Sequence, residues 1–213
     1  IYPNSTLGGD RDMVEGMQMG TADFSLIAGV LGNFAPSIQL LELPYMFQSQ
    51  EEFDSIISGP IGEEIAADVR ENANVRILNW WERGSRQVTS NKPINGLEDL
   101  QGLKIRVSTW RAIGANPTPM AWSEVYTGLE QNVIEAQENP IPFIFGGRIN
   151  EVQDYLAFTD HKYEYVTLAM SELRWNQLTP EQQQIVTDAA AAATKAENEA
   201  VRSQADQMLQ EMV

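Results

Sequence analysis

Residues 60–81, PIGEEIAADVRENANVRILNWW, decide the fold class. Pro60 suits the first position of a helix, and Ile65 and Val69 follow at helical spacing, so a helix is predicted to begin at Pro60. Residues 75–81 are rich in β-branched and aromatic side chains, which predicts a strand directly after that helix. Strands that alternate with helices in this way are typical of α/β proteins.

The same alternation extends toward the N-terminus. Residues 10–19 carry apolar side chains at helical spacing, and Gly20 follows as a helix stop. Residues 22–28 predict a short strand, and Ser49 with Glu52 forms the capping pattern of a further helix. Together these segments predict an α/β fold with a mostly parallel sheet.

Beyond residue 81 the pattern changes. Residues 83–92 are polar and contain glycine and serine, and they are predicted to connect two lobes. Residues 103–107 alternate apolar and basic side chains, which predicts a short strand with Arg106 opposite its apolar face. Residues 132–136 are predicted to be extended, with Asn139 in a turn that ends the strand.

The clearest helix lies at the end of the sequence. Thr179 is a good N-cap, Pro180 suits the first helical position, and Gln182 completes a capping box. No proline or glycine interrupts residues 181–213. The predicted helix is roughly 50 Å long, which exceeds the diameter of one small lobe, so it is expected to run along two lobes.

Composition excludes several classes of function. The chain has 213 residues and a net charge of −16, which argues against a nucleic-acid partner. It has no cysteine, which excludes disulfides, thiol nucleophiles and thiolate zinc sites. His161 is the only histidine, and its polar surroundings predict a solvent-exposed loop residue. No apolar run approaches the roughly 20 residues of a membrane span, so direct membrane insertion is not expected.

Catalytic motifs are absent from the sequence. It contains no G-x-S-x-G elbow, no G-x-G-x-x-G fingerprint and no Walker motif. Acidic residues are plentiful, which permits a glycosidase without indicating one. The sequence therefore predicts a protein that is not an enzyme and needs no cofactor and no metal.

Four side chains are candidates for ligand binding. Arg106 and Arg86 are each either a salt-bridged surface residue or a two-pronged ligand for a carboxylate. Asn139 either orients a ligand oxygen or is a plain turn residue. Trp122 follows a proline-pinned loop and is either a core residue or the floor of a pocket.

Taken together, several motifs resemble the solute-binding proteins of tripartite ATP-independent periplasmic (TRAP) transporters, the dicarboxylate/sialic-acid-type family. The motifs run in the family's order through nearly the whole chain: residues 7–15 (LGGDRDMVE), 43–45 (LPY), 84–91 (GSRQVTSN), 100–107 (LQGLKIRV), 114–126 (GANPTPMAWSEVY), 137–140 (QENP) and 151–153 (EVQ). Members of this family begin with a further strand, helix and strand and continue past the position of Val213. They also usually carry a proline and several more residues after Val107, so a loop is expected to be missing there.

The resemblance implies a fold and a mode of binding. The fold is an α/β, two-lobed, type II-like periplasmic binding protein with hinge strands and a long C-terminal helix that spans both lobes. Lobe I is expected to comprise residues 1–83 and 165–200, and lobe II residues 84–164 and 201–213. The ligand is expected in the cleft between the lobes, which would close around it by a hinge motion.

The resemblance also implies roles for five residues. Arg106 matches the arginine that binds the ligand carboxylate, and Arg86 matches a second pocket arginine. Asn139 matches a pocket asparagine, and Trp122 stands where the family places an aromatic ring against the ligand. Asp10 falls at an acidic position that reaches ligand hydroxyls in some members.

The expected ligand is a hexuronate or a similar sugar acid. Ala28 and Gly29 are small where sialic-acid binders carry a polar contact region, which disfavours sialic acid, and Trp80 and Trp81 suit a sugar ring. A C4-dicarboxylate or other carboxylate is the alternative ligand, and a periplasmic ligand-sensing domain is the alternative function. The expected protein is a periplasmic monomer that delivers a small organic acid to the membrane permease subunits of a TRAP transporter.

Overall fold

The computed structural model of the protein describes residues 1–2, 6–106 and 108–212. The α-helices in these ranges are α1 (Asp10–Met19), α2 (Gln50–Ile57), α3 (Pro60–Ala73), α4 (Trp122–Glu130), α5 (Ile141–Gly146), α6 (Glu172–Trp175) and α7 (Pro180–Met212). The strands are β1 (Phe24–Ile27), β2 (Val75–Ser90), β3 (Lys104–Ile105), β4 (Asn116–Pro117), β5 (Ala136–Pro140), β6 (Tyr155–Ala157) and β7 (Tyr163–Ser171). Short 3₁₀ helices lie at Gly29–Asn33, Pro36–Glu42, Leu97–Leu100, Ser108–Ile113 and Ile149–Glu151.

The chain forms two compact units. Unit 1 comprises Ile1–Arg83 and Glu164–Ala200, and unit 2 comprises Gly84–Tyr163 and Val201–Val213. Both β2 and α7 contribute residues to each unit. That the two units act as lobes that close on a ligand stays a prediction. Among the helices described, none has both the length and the apolar character needed to cross a membrane.

Unit 1 contains a sheet in which β7 lies between β1 and β2. β1 and β7 are antiparallel, with Phe24 opposite Met170. The turn into β1 follows Gly20, whose φ of 73° is left-handed and therefore suits a glycine at the end of α1. The apolar side chains buried in this unit include Val14, Met17, Ile27, Leu31, Phe53, Ile65, Val69 and Val75. Phe53 stacks on the buried Tyr165, with 5.8 Å between ring centroids.

Unit 2 is built around β5. β5 lies between β2, to which it is antiparallel, and β3, to which it is parallel, while β4 extends the sheet beyond β3. A first apolar cluster comprises Val88, Leu100, Leu103, Ile105, Trp110, Ala115 and Ala136. A second apolar cluster comprises Val125, Leu129, Ile134, Ile141, Ile144 and Ile149, against which three partly buried side chains of α7 pack, namely Met208, Leu209 and Met212.

The α/β class and the long helix at the end of the sequence are confirmed. The backbone N–H of Gln182 donates to the Thr179 hydroxyl at 3.3 Å, and the Gln182 side chain accepts from the Thr179 N–H at 2.9 Å, so the capping box forms. α7 then runs through 33 residues without interruption.

Three predictions of local structure are wrong. The sheet is mixed rather than mostly parallel, since β2 pairs antiparallel with both β5 and β6. Residues 83–90 of the predicted connection form the second half of β2, which contributes to both units, whereas Asn139 lies inside β5 rather than in a turn after it. The polar composition of these segments suggested loops, yet their side chains form hydrogen bonds with one another within unit 2. The predicted strand 103–107 is shorter, at Lys104–Ile105, and Val107 lies outside the described residues.

Candidate functional site

The pairing of β2 with β5 assembles a polar group in unit 2. Arg86 lies opposite Pro140, and Val88 lies opposite Glu138, so Arg86 and Glu138 are diagonal neighbours on one face of the sheet. All five residues of β5, including Glu138 and Asn139, are buried. Charged and amide side chains placed there must find partners inside the unit, because burial removes them from water.

Arg86 and Glu138 form a buried, two-pronged ion pair. Arg86 Nε donates to Glu138 Oε2, and Arg86 Nη2 donates to Glu138 Oε1 at 2.9 Å. Only 10% of the arginine side chain and 5% of the glutamate side chain are exposed. Nη2 also donates to the Glu138 backbone carbonyl at 2.7 Å and to Asn139 Oδ1 at 3.2 Å. The guanidinium is therefore held in one orientation by β5.

His161 completes this group. Its Nε2 lies 2.9 Å from Glu138 Oε2, and its Nδ1 lies 2.8 Å from the Thr159 hydroxyl. The ring is buried and packs edge-on against Trp110, with 4.7 Å between ring centroids. Burial raises the pKa of the Glu138 carboxyl, but the hydrogen bond from His161 and the charge of Arg86 outweigh burial and leave that pKa below its usual value. We refer to Arg86, Glu138, Asn139, Thr159 and His161 as the Arg86 network.

A chain of amides and a hydroxyl fixes Asn139 from its other side. Asn139 Nδ2 donates to Gln137 Oε1 at 2.6 Å, and Gln137 Nε2 donates to Thr89 Oγ1 at 2.8 Å. Thr89 Oγ1 in turn donates to Gln153 Oε1 at 3.1 Å. The side-chain amide of Asn139 is therefore oriented by fixed partners, which makes it a preorganised polar group.

Arg106 follows β3 and is half-buried. Its Nε donates to the Met120 carbonyl at 3.2 Å, and its guanidinium carbon lies 5.5 Å from the centre of the Trp122 ring. Trp122 is the first residue of α4, and 40% of it is exposed. The backbone N–H of Arg106 donates to Ala136 at the start of β5, at 3.2 Å. The Arg106–Trp122 pair therefore presents a stacked guanidinium beside the strand that carries the Arg86 network.

A glycine sets the position of the Trp122 ring. A Cβ placed on Gly147 would lie 2.8 Å from Trp122 Cζ2, far closer than ordinary van der Waals contact allows. A Cβ on the preceding Gly146 would meet no atom within 4 Å. The ring can occupy its place next to Arg106 because residue 147 has no side chain.

The structure places four of the five predicted residues in unit 2, as two pairs whose members contact each other. Arg86 contacts Asn139, and Arg106 contacts Trp122. Asp10 belongs to unit 1, where it begins α1 and its Oδ2 accepts the backbone N–H of Ala28 at 3.3 Å. It also borders a groove of about 810 Å³ in that unit. The binding roles of all five residues stay predictions.

Sequence reasoning missed three members of the Arg86 network, namely Glu138, Thr159 and His161. The prediction that His161 is solvent-exposed is wrong, because only 2% of the residue is exposed. Its polar neighbours in the sequence suggested a surface loop, but the loop folds the ring back onto Glu138. Glu138 itself was not singled out, because it lies next to Asn139 in the stretch that was expected to end a strand in a turn. Over residues 1–2, 6–106 and 108–212, no group of three or more histidine or acidic side chains is placed to hold a metal ion.

Comparisons with known proteins agree along the whole chain. The family model described as "Bacterial extracellular solute-binding protein, family 7" matches residues 1–213. A solute-binding protein of Roseobacter denitrificans is 41% identical over 204 residues, which cover 92% of this chain and 63% of that protein. The 2,3-diketo-L-gulonate-binding periplasmic protein of Escherichia coli is 34% identical over 204 residues, which cover 91% of this chain and 61% of that protein. The chain thus spans about three fifths of the length of these relatives.

Solved structures of solute-binding proteins also resemble this chain. A TRAP periplasmic solute-binding protein of Roseobacter denitrificans with bound L-galactonate superposes with a TM-score of 0.90 at 38% identity, covering 99% of this chain and 73% of that one. A TRAP periplasmic solute-binding protein of Chromohalobacter salexigens with bound D-glucuronate superposes with a TM-score of 0.94 at 30% identity, with the same two coverages.

Proposed function

Because the chain belongs to family 7 of the bacterial extracellular solute-binding proteins, we propose that it is a periplasmic receptor for a sugar acid. It captures the acid by binding, without catalysis, and delivers it to the membrane permease of a TRAP transporter. The single observation that carries the proposal within this chain is the Arg106 guanidinium stacked on the half-exposed Trp122 ring.

Arg106 supplies the charge that an organic acid needs. A net charge of −16 repels anions, so a carboxylate binds only where a local cation outweighs the surrounding field. The Met120 carbonyl and the Trp122 ring hold the guanidinium in place before the ligand arrives. A planar guanidinium binds a carboxylate through two parallel hydrogen bonds, and a preoriented one loses less conformational freedom on binding.

Arg86 and Asn139 have a different role in this proposal. The charge of Arg86 is already balanced by Glu138, so this arginine offers directed N–H groups rather than net positive charge. Asn139 adds an amide whose orientation the Gln137 and Arg86 contacts fix. Directed donors and acceptors of this kind distinguish ligands by their hydroxyl and carboxyl pattern, because a mismatched ligand leaves buried polar groups unpaired.

The ligands bound by similar proteins and the Trp122 ring both favour a sugar acid. Proteins of this fold hold L-galactonate, β-D-galacturonate and D-glucuronate at 28 to 38% identity to this chain. The exposed part of the Trp122 ring offers an apolar surface against which the C–H face of a sugar ring can pack. A C4-dicarboxylate would use the same arginines but would leave that surface without a partner.

The test is a thermal-shift screen with D-glucuronate, D-galacturonate, L-galactonate, succinate and sialic acid. A ligand at about 100 times its Kd stabilises the folded protein by about 2.7 kcal/mol, which gives a clear rise in melting temperature. We expect such a rise with one or more of the sugar acids and none with succinate or sialic acid.

Arg106→Ala and Arg111→Ala form the matched pair of variants. Arg111 is an exposed arginine of the same unit, so its loss removes the same charge from the chain. Truncating one partner of a buried charge pair costs about 2–5 kcal/mol, so Arg106→Ala should weaken binding about 30-fold or more while Arg111→Ala leaves it unchanged. A shift that survives Arg106→Ala, or a response to succinate alone, would contradict the proposal.

A further inference from the structure

The surroundings of His161 accommodate a second proton. Glu138 Oε2 only accepts hydrogen bonds, so Nε2 of His161 carries a hydrogen in either protonation state. In the neutral ring, Nδ1 accepts the hydroxyl hydrogen of Thr159 at 2.8 Å. In the charged ring, Nδ1 donates to the Thr159 oxygen, and the Thr159 hydroxyl can rotate toward the Arg86 carbonyl, which lies 3.4 Å away. Neither state leaves a buried donor without an acceptor.

Two strands bring charged groups to the ring. Glu138 on β5 carries a negative charge and touches Nε2, and Arg86 on β2 carries a positive charge and binds the same carboxylate. The 3₁₀ helix at Ser108–Ile113 contributes the uncharged Trp110 ring. In its own loop, the Asp160 carboxylate accepts from Ser85 and Gln87 at 2.6 and 2.7 Å. With a neutral His161, the buried pair of Arg86 and Glu138 therefore sums to zero charge.

An organic acid at Arg86 changes this sum. Arg106 supplies a positive charge for the ligand carboxylate, but a carboxylate that also accepts from Arg86 competes with Glu138 for that guanidinium. The charge of Glu138 is then neutralised less completely, and electrostatic interactions are strong in buried surroundings. A proton on His161 compensates this charge, and the Thr159 oxygen is already placed to accept the hydrogen bond from Nδ1.

We infer that binding of a sugar acid is coupled to the uptake of one proton by His161, through Glu138 and Arg86. This inference rests on the proposed function. His161 does not itself touch the ligand in this mechanism. It is a positioning residue that balances the charge of Glu138, and the proton comes from the buffer. The receptor consequently binds its acid more tightly as the pH falls.

The test is isothermal titration calorimetry with D-glucuronate, D-galacturonate and L-galactonate in two buffers that differ in ionisation enthalpy. The difference between the two apparent enthalpies counts the protons taken up. We expect a value between zero and one per bound acid near pH 7. The affinity should rise toward lower pH by at most about tenfold per pH unit, the limit for one coupled proton.

The decisive variant is His161→Gln. A glutamine amide can still donate to Glu138, but it cannot take up a proton. We expect this variant to bind the acid with no buffer-dependent enthalpy and with an affinity that does not change with pH. The control is Lys104→Gln, which removes an exposed cation of the same unit and should keep the proton uptake of the parent protein.

The single histidine also gives a direct readout. In the long-range ¹H–¹⁵N correlation spectrum of the imidazole, the protein has one histidine signal set, that of His161. We expect saturation with the acid to move these signals toward the doubly protonated form at constant pH.

The outcomes separate this inference from the proposed function. Binding without proton uptake, or uptake that persists in His161→Gln, would overturn the inference and leave the proposed function standing. No binding of any of the three acids would overturn the proposed function and the inference with it.

Discussion

Replacing Glu138 with glutamine should be among the most damaging single substitutions in unit 2. The substitution keeps the shape of the side chain but removes the negative charge that pairs with the buried Arg86 guanidinium. The Arg86 side chain is only 10% exposed, so water cannot replace the lost carboxylate. Breaking a buried ion pair by removing one partner costs about 3–5 kcal/mol. Since the glutamine oxygen still accepts one N–H of Arg86, we expect about 3 kcal/mol.

Denaturation by urea, followed by tryptophan fluorescence, measures this loss. Trp110 and Trp122 both belong to unit 2 and report on its unfolding. For a chain of this size, about 3 kcal/mol corresponds to a fall of about 6–12 °C in melting temperature. The double variant Arg86→Met with Glu138→Gln should lose less than the two single variants combined, because it buries no unpaired charge.

The acid limb of the stability profile gives an independent check. The pKa of Glu138 in the folded protein lies below its usual value of 4.5. Its ionised form therefore stabilises the fold above about pH 4.5, and this stabilisation is lost as the pH falls through the lower folded value. We expect the difference in the free energy of unfolding between the parent protein and Glu138→Gln to be largest at pH 7 and to narrow below pH 4. A loss under about 1 kcal/mol at pH 7, or strictly additive effects in the double variant, would refute the argument.

Three further substitutions test other parts of the molecule. Gly147→Ala places a Cβ 2.8 Å from the Trp122 ring and should displace it, which weakens sugar-acid binding about fivefold if about 1 kcal/mol of ring contact is lost. Gly146→Ala meets no atom within 4 Å and should bind like the parent protein; equal affinity of both variants would contradict a role for the ring. Burial and a neighbouring carboxylate raise the pKa of Glu197 from 4.5 to about 7, so the folded protein loses stability as the pH rises through this window. The melting temperature of Glu197→Gln should therefore rise relative to that of the parent protein as the pH increases from 4.5 to 7. A difference in melting temperature that stays constant over this range would contradict the raised pKa of Glu197. Ser49→Ala removes the oxygen that caps α2 at 3.1 Å and should cost about 1 kcal/mol in urea denaturation.

The parts of the fold that the sequence predicts are those with local causes. The helix that begins at Pro180 follows from a capping box and an unbroken run of helix-forming residues, and both signals lie within the segment itself. The class of the fold follows from the alternation around residues 60–81. Strand direction does not follow from such signals, because it depends on which distant segment lies beside β2.

The site is predictable only in part, for a related reason. Arg106 and Trp122 were identified individually, but their contact depends on a glycine 25 residues beyond the tryptophan, at position 147. His161 looked like a surface residue, and Glu138 was not singled out, because hydropathy treats each polar side chain alone. In the folded unit they are buried together with Arg86, and each satisfies the hydrogen bonds of another. Mutual satisfaction of distant polar groups leaves no periodic pattern in a sequence.

The last turns of α7 also affect how the protein is synthesised. Most of unit 2 is translated before residue 164, yet Met208, Leu209 and Met212 pack on its second apolar cluster. Unit 2 therefore cannot close that cluster until residues 201–212 have left the ribosome, and until then the second apolar cluster lacks part of its cover. Exposed apolar surface on a nascent chain is a target for chaperones and a risk for aggregation. A chain that stalls or is clipped after residue 200 would carry this exposed cluster permanently, and cellular quality control would recognise it.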